Sequence, residues 1–210
     1  MADTTGSAEI VVLDRGQESS AAAALTASHG DYPAFRHVFP DARRRRRALR
    51  PFFQATVRDA IPFGAVQAAV DGPTVLAVAV WLPPGAFPWS ASRKARATPA
   101  FVQVLAADPA SFRRFSRYGA NAERAHPREP HWYLEVLGVH PGHQRRGFGG
   151  RLVQPGLDRA DQDGVPCYLE TSDRANVAFY ERFGFTVVEE ELQLVPGGPT
   201  HVAMRRQPGG

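Results

Sequence analysis

The stretch HPGHQRRGFGGRLV, residues 140–153, constrains the fold more than any other. It follows an aromatic and β-branched run, HWYLEVLGV (131–139), that reads as a strand. It leads into GGRLVQPGLDRADQDG (149–164), which reads as a helix ending at Gly164 with Pro155 tolerated near its start. At such a junction the first helical N–H groups lack internal partners and carry the positive end of the helix dipole. Glycines at 147, 149 and 150 let a ligand approach that backbone, and Arg145 and Arg146 add cationic donors. The pattern suits a pyrophosphate. It lacks the glycine spacing and first-strand position of a dinucleotide fingerprint, and the Gly-Lys-Ser/Thr ending of a nucleotide-hydrolysing loop.

The rest of the chain fits around this junction. EIVVL (9–13) reads as a first strand, and QESSAAAALTASH (17–29) as an Ala-rich helix. DARRRRRALRPFFQATVRDAI (41–61) reads as a helix that Pro51 splits or strains. AVQAAV and TVLAVAVWL flank Asp71-Gly72, a hairpin signal. Residues 99–118 read as one helix. VPCYLETS (165–172) is a strand, ANVAFYERFG (175–184) a short helix closed by Gly184, and FTVVEEELQL with THVAMRR a final antiparallel pair. The order predicts a mixed α/β (α+β) layout around a right-handed βαβ unit. It comprises one domain over 9–207, with a loose segment at 1–8.

Composition excludes several classes. With 43% hydrophobic and 22% charged residues the chain is globular, not disordered. No apolar run nears the ~20 residues that span a bilayer, and the first residues show no signal-peptide pattern. Cys167 is the only cysteine, which fits a reducing cytoplasm and a core role. The histidines show no metal-ligand spacing, so no metal is expected. Arg43 to Arg47 form a basic run; with no aromatic pattern beside it and a net charge of +4, it reads as a solvated helix face and not as a nucleic-acid site.

Two segments carry a family resemblance. LGVHPGHQRRGFGGRL resembles the acetyl-CoA-binding motif of the GNAT superfamily of acyltransferases, and NVAFYERFGF (176–185) resembles its second motif at the expected distance. HWYLEVLGV, QPGLDRADQDGVPCYLETS, FYERFGFTV and DYPAFRHVFPD are similar to the puromycin acetyltransferase branch of that family, closely from about 131 onward and patchily over 30–130. The resemblance implies a GNAT fold: a mostly antiparallel sheet, flanked by helices, with a splayed parallel pair. It implies that acetyl-CoA is co-substrate and that a small-molecule amine, antibiotic- or nucleoside-like, is acceptor. Leu137, Gly138 and Val139 would hold the pantetheine arm. Gln144, Arg145, Arg146, Gly147, Phe148, Gly149 and Gly150 would hold the pyrophosphate, and Asn176 the lower cofactor.

By the same resemblance Tyr180 protonates the departing thiolate. Glu135, with the side-chain parity of Leu137 and Val139, and Glu170 on the next strand are both candidates for the base. Tyr32, His37 and Trp81 are candidates for the acceptor pocket, with Trp89 and the Pro83–Pro88 loop nearby. Protein amines as acceptors and a non-catalytic acyl-CoA module are the other readings. Monomer and homodimer both stay open, and neither a membrane nor a nucleic-acid partner is expected.

Overall fold

A computed structural model describes residues 8–210. The loose segment expected over 1–8 lies outside the described residues except for Ala8, which is buried. Among the described residues seven strands form one sheet in the order β1-β2-β3-β4-β5-β7-β6. They are β1 (Glu9–Val12), β2 (Val66–Asp71), β3 (Thr74–Leu82), β4 (Trp132–Val139), β5 (Cys167–Thr171), β6 (Thr186–Leu192) and β7 (His201–Arg206). Every pairing is antiparallel except β4 with β5. The parallel pair is joined by α6 (Phe148–Asp163). Gly72 (φ 55°) makes the β2–β3 hairpin as its Asp-Gly signal predicts.

Both faces of the central strands are covered, so β3 is apolar along nearly its whole length. On one face lie α1 (Glu18–Ser28), α2 (Pro33–Val38), α3 (Ala42–Ala60), α4 (Ala91–Ala107) and α5 (Pro109–Ala125). Leu25, Leu49, Phe53 and Val57 pack there against Val78, Val80 and Tyr133. On the other face Leu152, Val153 and Leu157 of α6 pack against Trp81, Trp132, Leu134 and Met204. Gly164 closes α6 in the left-handed region, its N–H donating to Asp161 O at 3.2 Å.

Proline positions explain where these helices depart from expectation. The single helix expected over 99–118 is two helices. Pro109 drives Asp108 extended (φ −152°, ψ 83°), and the Asp108 carboxylate caps α5 by accepting from Ser111 N at 3.2 Å. Pro99 and Pro155 sit inside α4 and α6, and Pro51 inside an unbroken α3. At Pro51, itself buried, tertiary burial outweighs the lost backbone bond. The breaker around Pro33 starts α2, because proline's missing N–H costs nothing at a first turn.

Candidate active site

β4 and β5 pair only at Trp132–Cys167 and Tyr133–Tyr168. Beyond Tyr133 the two strands separate, while β4 stays bonded to β3 as far as Val139. The separation opens a cavity of about 1300 Å³ under α1–α5 and α7 (Val177–Glu181). The β5-side edge of β4 is therefore left with backbone groups that no strand satisfies.

The start of α6 lines the same cavity. Its N-cap, Gly147, is left-handed (φ 80°), and no side chain caps the helix. Arg145 is the one non-glycine with positive φ among the described residues (φ 62°). The glycines divide the work. A Cβ on Gly147 would meet nothing, so that position is open to a ligand. A Cβ on Gly149 would lie 3.2 Å from Phe179 Cζ, and one on Gly150 3.0 Å from Phe183 Cζ. Those two glycines thus admit the aromatics of α7 and of the turn after it as well as a ligand. Gly138 is needed for the same kind of reason: a Cβ would overlap the Ser28 hydroxyl of α1.

Two half-buried glutamates face the cavity from the separated strands. Burial pushes Glu135 up to about 8; Asp59 adds to the rise and Arg93 opposes it. Burial pushes Glu170 up to about 7, against the pull of the Tyr133 and Tyr168 hydroxyls. One oxygen of each, Glu135 Oε2 and Glu170 Oε1, is buried without a hydrogen-bond partner. The expected parity of Glu135 is corrected here. Val136 pairs with Val80 and Leu134 with Trp81, so Glu135 is the extra residue of a β-bulge. Leu137 and Val139 consequently pack on the α6 face, while Glu135 feels Asp59 of α3 and Arg93 of α4 on the other. Asp59 and Arg93 form a pair (Arg93 Nε donating to Asp59 Oδ1 at 2.9 Å) that sequence patterning missed.

Tyr180 is 8% exposed and lines the cavity, its hydroxyl pushed up by burial. Tyr32 joins it from the turn before α2. Its hydroxyl accepts from Ser172 N at 2.7 Å and donates to Thr171 Oγ1 at 3.2 Å, and Asn176 Nδ2 donates to the same Oγ1 at 3.3 Å. Gln144 Nε2 donates to Val139 O at 3.4 Å, tying the glycine-rich turn to the end of β4.

Three candidates fall outside the cavity lining. Arg146 does not line it. His37 packs against Gly198 of the β6–β7 loop. Trp81 is 1% exposed in the α6-side core against Gly156, because it points to the opposite face of β3. Trp89 lines the cavity in its place, with Phe35, Phe52, Phe87 and Tyr133 from four separate segments. Only the tertiary fold brings these rings together, and each alone reads as core. Cys167 is buried, which pushes its thiol up to about 12 and keeps it protonated. His126 and His131 bond to each other, Nε2 to Nε2 at 3.0 Å.

The model of the acetyltransferase (GNAT) family matches residues 69–185, the span from β2 to the end of the second glycine-closed helix. The chain belongs to the GNAT family. An uncharacterised N-acetyltransferase of Schizosaccharomyces pombe is 42% identical over 63 residues, which is 30% of this chain and 25% of that protein. Mycothiol acetyltransferase of Streptomyces avermitilis is 35% identical over 92 residues, 40% of this chain and 30% of that one. The matched segments thus span a third or less of these relatives. In fold, a Corynebacterium glutamicum structure of histone acetyltransferase HPA2 and related acetyltransferase superposes with a TM-score of 0.68 at 22% identity, over 97% of this chain and 98% of that one.

Proposed function

We propose that this protein is an acetyl-CoA-dependent N-acetyltransferase that acetylates a primary amine of a small molecule by direct attack in a ternary complex. The observation that carries the reading is the juxtaposition in one cavity of Glu135, Glu170, Tyr180 and an uncapped, glycine-rich helix start. The groups present fit acetyl-CoA. The open Gly147 and the free amides of α6 suit its pyrophosphate, and the unpaired edge of β4 from Leu137 to Val139 suits its extended arm as an added strand would. Acetyl-CoA supplies a thioester already activated for acyl transfer. The amine arrives as an ammonium and must lose a proton before it attacks. Glu135 and Glu170, held at about 8 and about 7, are matched to that task near neutral pH. Tyr180 stays protonated through burial and donates to the leaving sulfur. The aromatic wall of Phe35, Phe52, Phe87 and Trp89 favours an amine with an apolar or aromatic body, in line with the resemblance to antibiotic- and nucleoside-modifying relatives.

The test is CoA release from acetyl-CoA across a panel of amines that includes puromycin. We expect one amine class to support turnover. Tyr180→Phe should lower kcat by ~10²-fold, the usual scale for one general acid, while calorimetric acetyl-CoA affinity holds. Acetyl-CoA binding with no turnover on any amine would favour a sensing role instead.

A further inference from the structure

The arginine run finds no part in this chemistry. α3 begins Ala42-Arg43-Arg44-Arg45-Arg46-Arg47, and Arg50 follows. Two of these arginines are accounted for by the fold. Arg45 is buried, its Nε donating to Gly30 O at 2.6 Å and its Nη1 to Phe39 O at 2.7 Å. Arg44 pairs with Asp108 at 3.8 Å. The other four, Arg43, Arg46, Arg47 and Arg50, stand three and four residues apart on one face. With the Gln54 and Gln103 side chains they line a groove of about 430 Å³ between α3 and α4, which shares no residue with the large cavity. Among the described residues none of the four forms a salt bridge; Arg50 donates to Ser19 Oγ at 3.0 Å.

Two electrostatic terms oppose this arrangement. Like charges three and four apart on a helix repel. The first turns of a helix carry the positive end of its dipole, where anions are favoured and cations are not. The Asp41 carboxylate caps the helix, accepting from Arg44 N at 2.7 Å, and answers part of the dipole term; the repulsion among the four guanidiniums remains, and a ligand with several negative charges would relieve it. We propose that this groove binds the oligophosphate chain of a small anionic ligand. Guanidinium forks match the paired oxygens of a phosphate, and the two glutamine amides add neutral donors. The span from Arg43 to Arg50 is ~10 Å along the helix, the reach of a short phosphate chain. The groove holds no aromatic ring on which a base could stack, which separates it from a single-stranded nucleic-acid surface.

The test is calorimetric titration of the full chain with inorganic tripolyphosphate, with acetyl-CoA present to occupy the start of α6. Saturable one-to-one binding is expected, weakening steeply with added salt. The variant Arg43→Gln/Arg46→Gln/Arg47→Gln/Arg50→Gln should bind ~10-fold more weakly or worse, since charge-assisted contacts are the strong ones, with turnover on the accepted amine unchanged. Glutamine keeps helix propensity, and the pair Arg46→Gln/Arg50→Gln alone should give an intermediate loss. No binding, undiminished binding by the fourfold variant, or the same heat from sulfate at equal ionic strength would overturn the proposal. So would an oligonucleotide that displaces tripolyphosphate at lower concentration.

Discussion

The double variant Glu135→Gln/Glu170→Gln should lose ~10³-fold or more in kcat/KM, within the range for removing a general base, and should bind acetyl-CoA as well as the parent protein. Gln keeps the shape of each side chain but accepts no proton. Each single variant should retain part of the rate, because either carboxyl can reach the same cavity from its own strand. The variant that costs more identifies the principal base. A rate unchanged in the double variant would remove proton abstraction by these groups from the mechanism.

The same pair fixes two opposite pH trends. Activity should rise with pH through the window near 7 to 8 in which the two carboxyls ionise. The glutamates' contribution to stability should fall from about 4.5 up through that window. Both folded values lie above the ordinary value of 4.5, so the native state holds protons that the unfolded state has released. Their stabilisation is complete below 4.5 and is lost as pH rises through the folded values. His29 and His201, lowered by burial to about 4, contribute the reverse slope only below their ordinary 6.5. Denaturant midpoints between pH 7 and 8, below the 9.0 at which the raised Cys167 thiol begins to add a slope of the same sign, therefore isolate the glutamates, and the double variant should flatten that slope. Flat parent stability there would show that neither carboxyl is held protonated.

Much of this architecture is legible in the chain because the signals are local. The strand–glycine–helix junction at 139–150 and the Asp71-Gly72 hairpin each need only a few consecutive residues. The face presented by Glu135 is not legible, because the bulge there depends on how β4 registers against Val80 and Trp81 of β3. Alternation along β4 alone places Glu135 with Leu137, and the extra residue reverses that. Trp81 escapes for a related reason. β3 is buried on both faces, so its pattern does not say which face opens on the cavity and which on α6. Gly149 and Gly150 show the limit of motif reading: the motif finds them, but the Phe179 and Phe183 rings that also require them come from α7 and the turn after it, thirty or more residues on.

Gly156→Ala should destabilise the protein although alanine is the better helix former. A Cβ there would fall inside the Trp81 indole, close to Cε2, Cδ2 and Nε1. The ring is 1% exposed and ringed by core, so it cannot swing clear as a flexible surface side chain would. Overpacking of this kind costs ~3 kcal/mol, partly offset by the ~1 kcal/mol that Ala gains over Gly in a helix. The net loss should lower Tm by several degrees, at ~2–4 °C per kcal/mol for a chain this long. Gly119→Ala in α5 provides the control: its Cβ would meet nothing, so propensity acts alone and stability should rise by ~0.5–1 kcal/mol. The difference between the two variants isolates packing from backbone entropy. It also reaches the chemistry, since Trp81 pairs with Leu134 directly beside the bulge that turns Glu135 toward the cavity. Gly156→Ala should therefore lower kcat even where the protein remains folded, and Trp81→Phe, which shrinks the ring, should recover part of both losses. A Gly156→Ala protein with parental Tm and kcat would mean that Trp81 has room to move and that its packing on α6 does not hold the bulge in place.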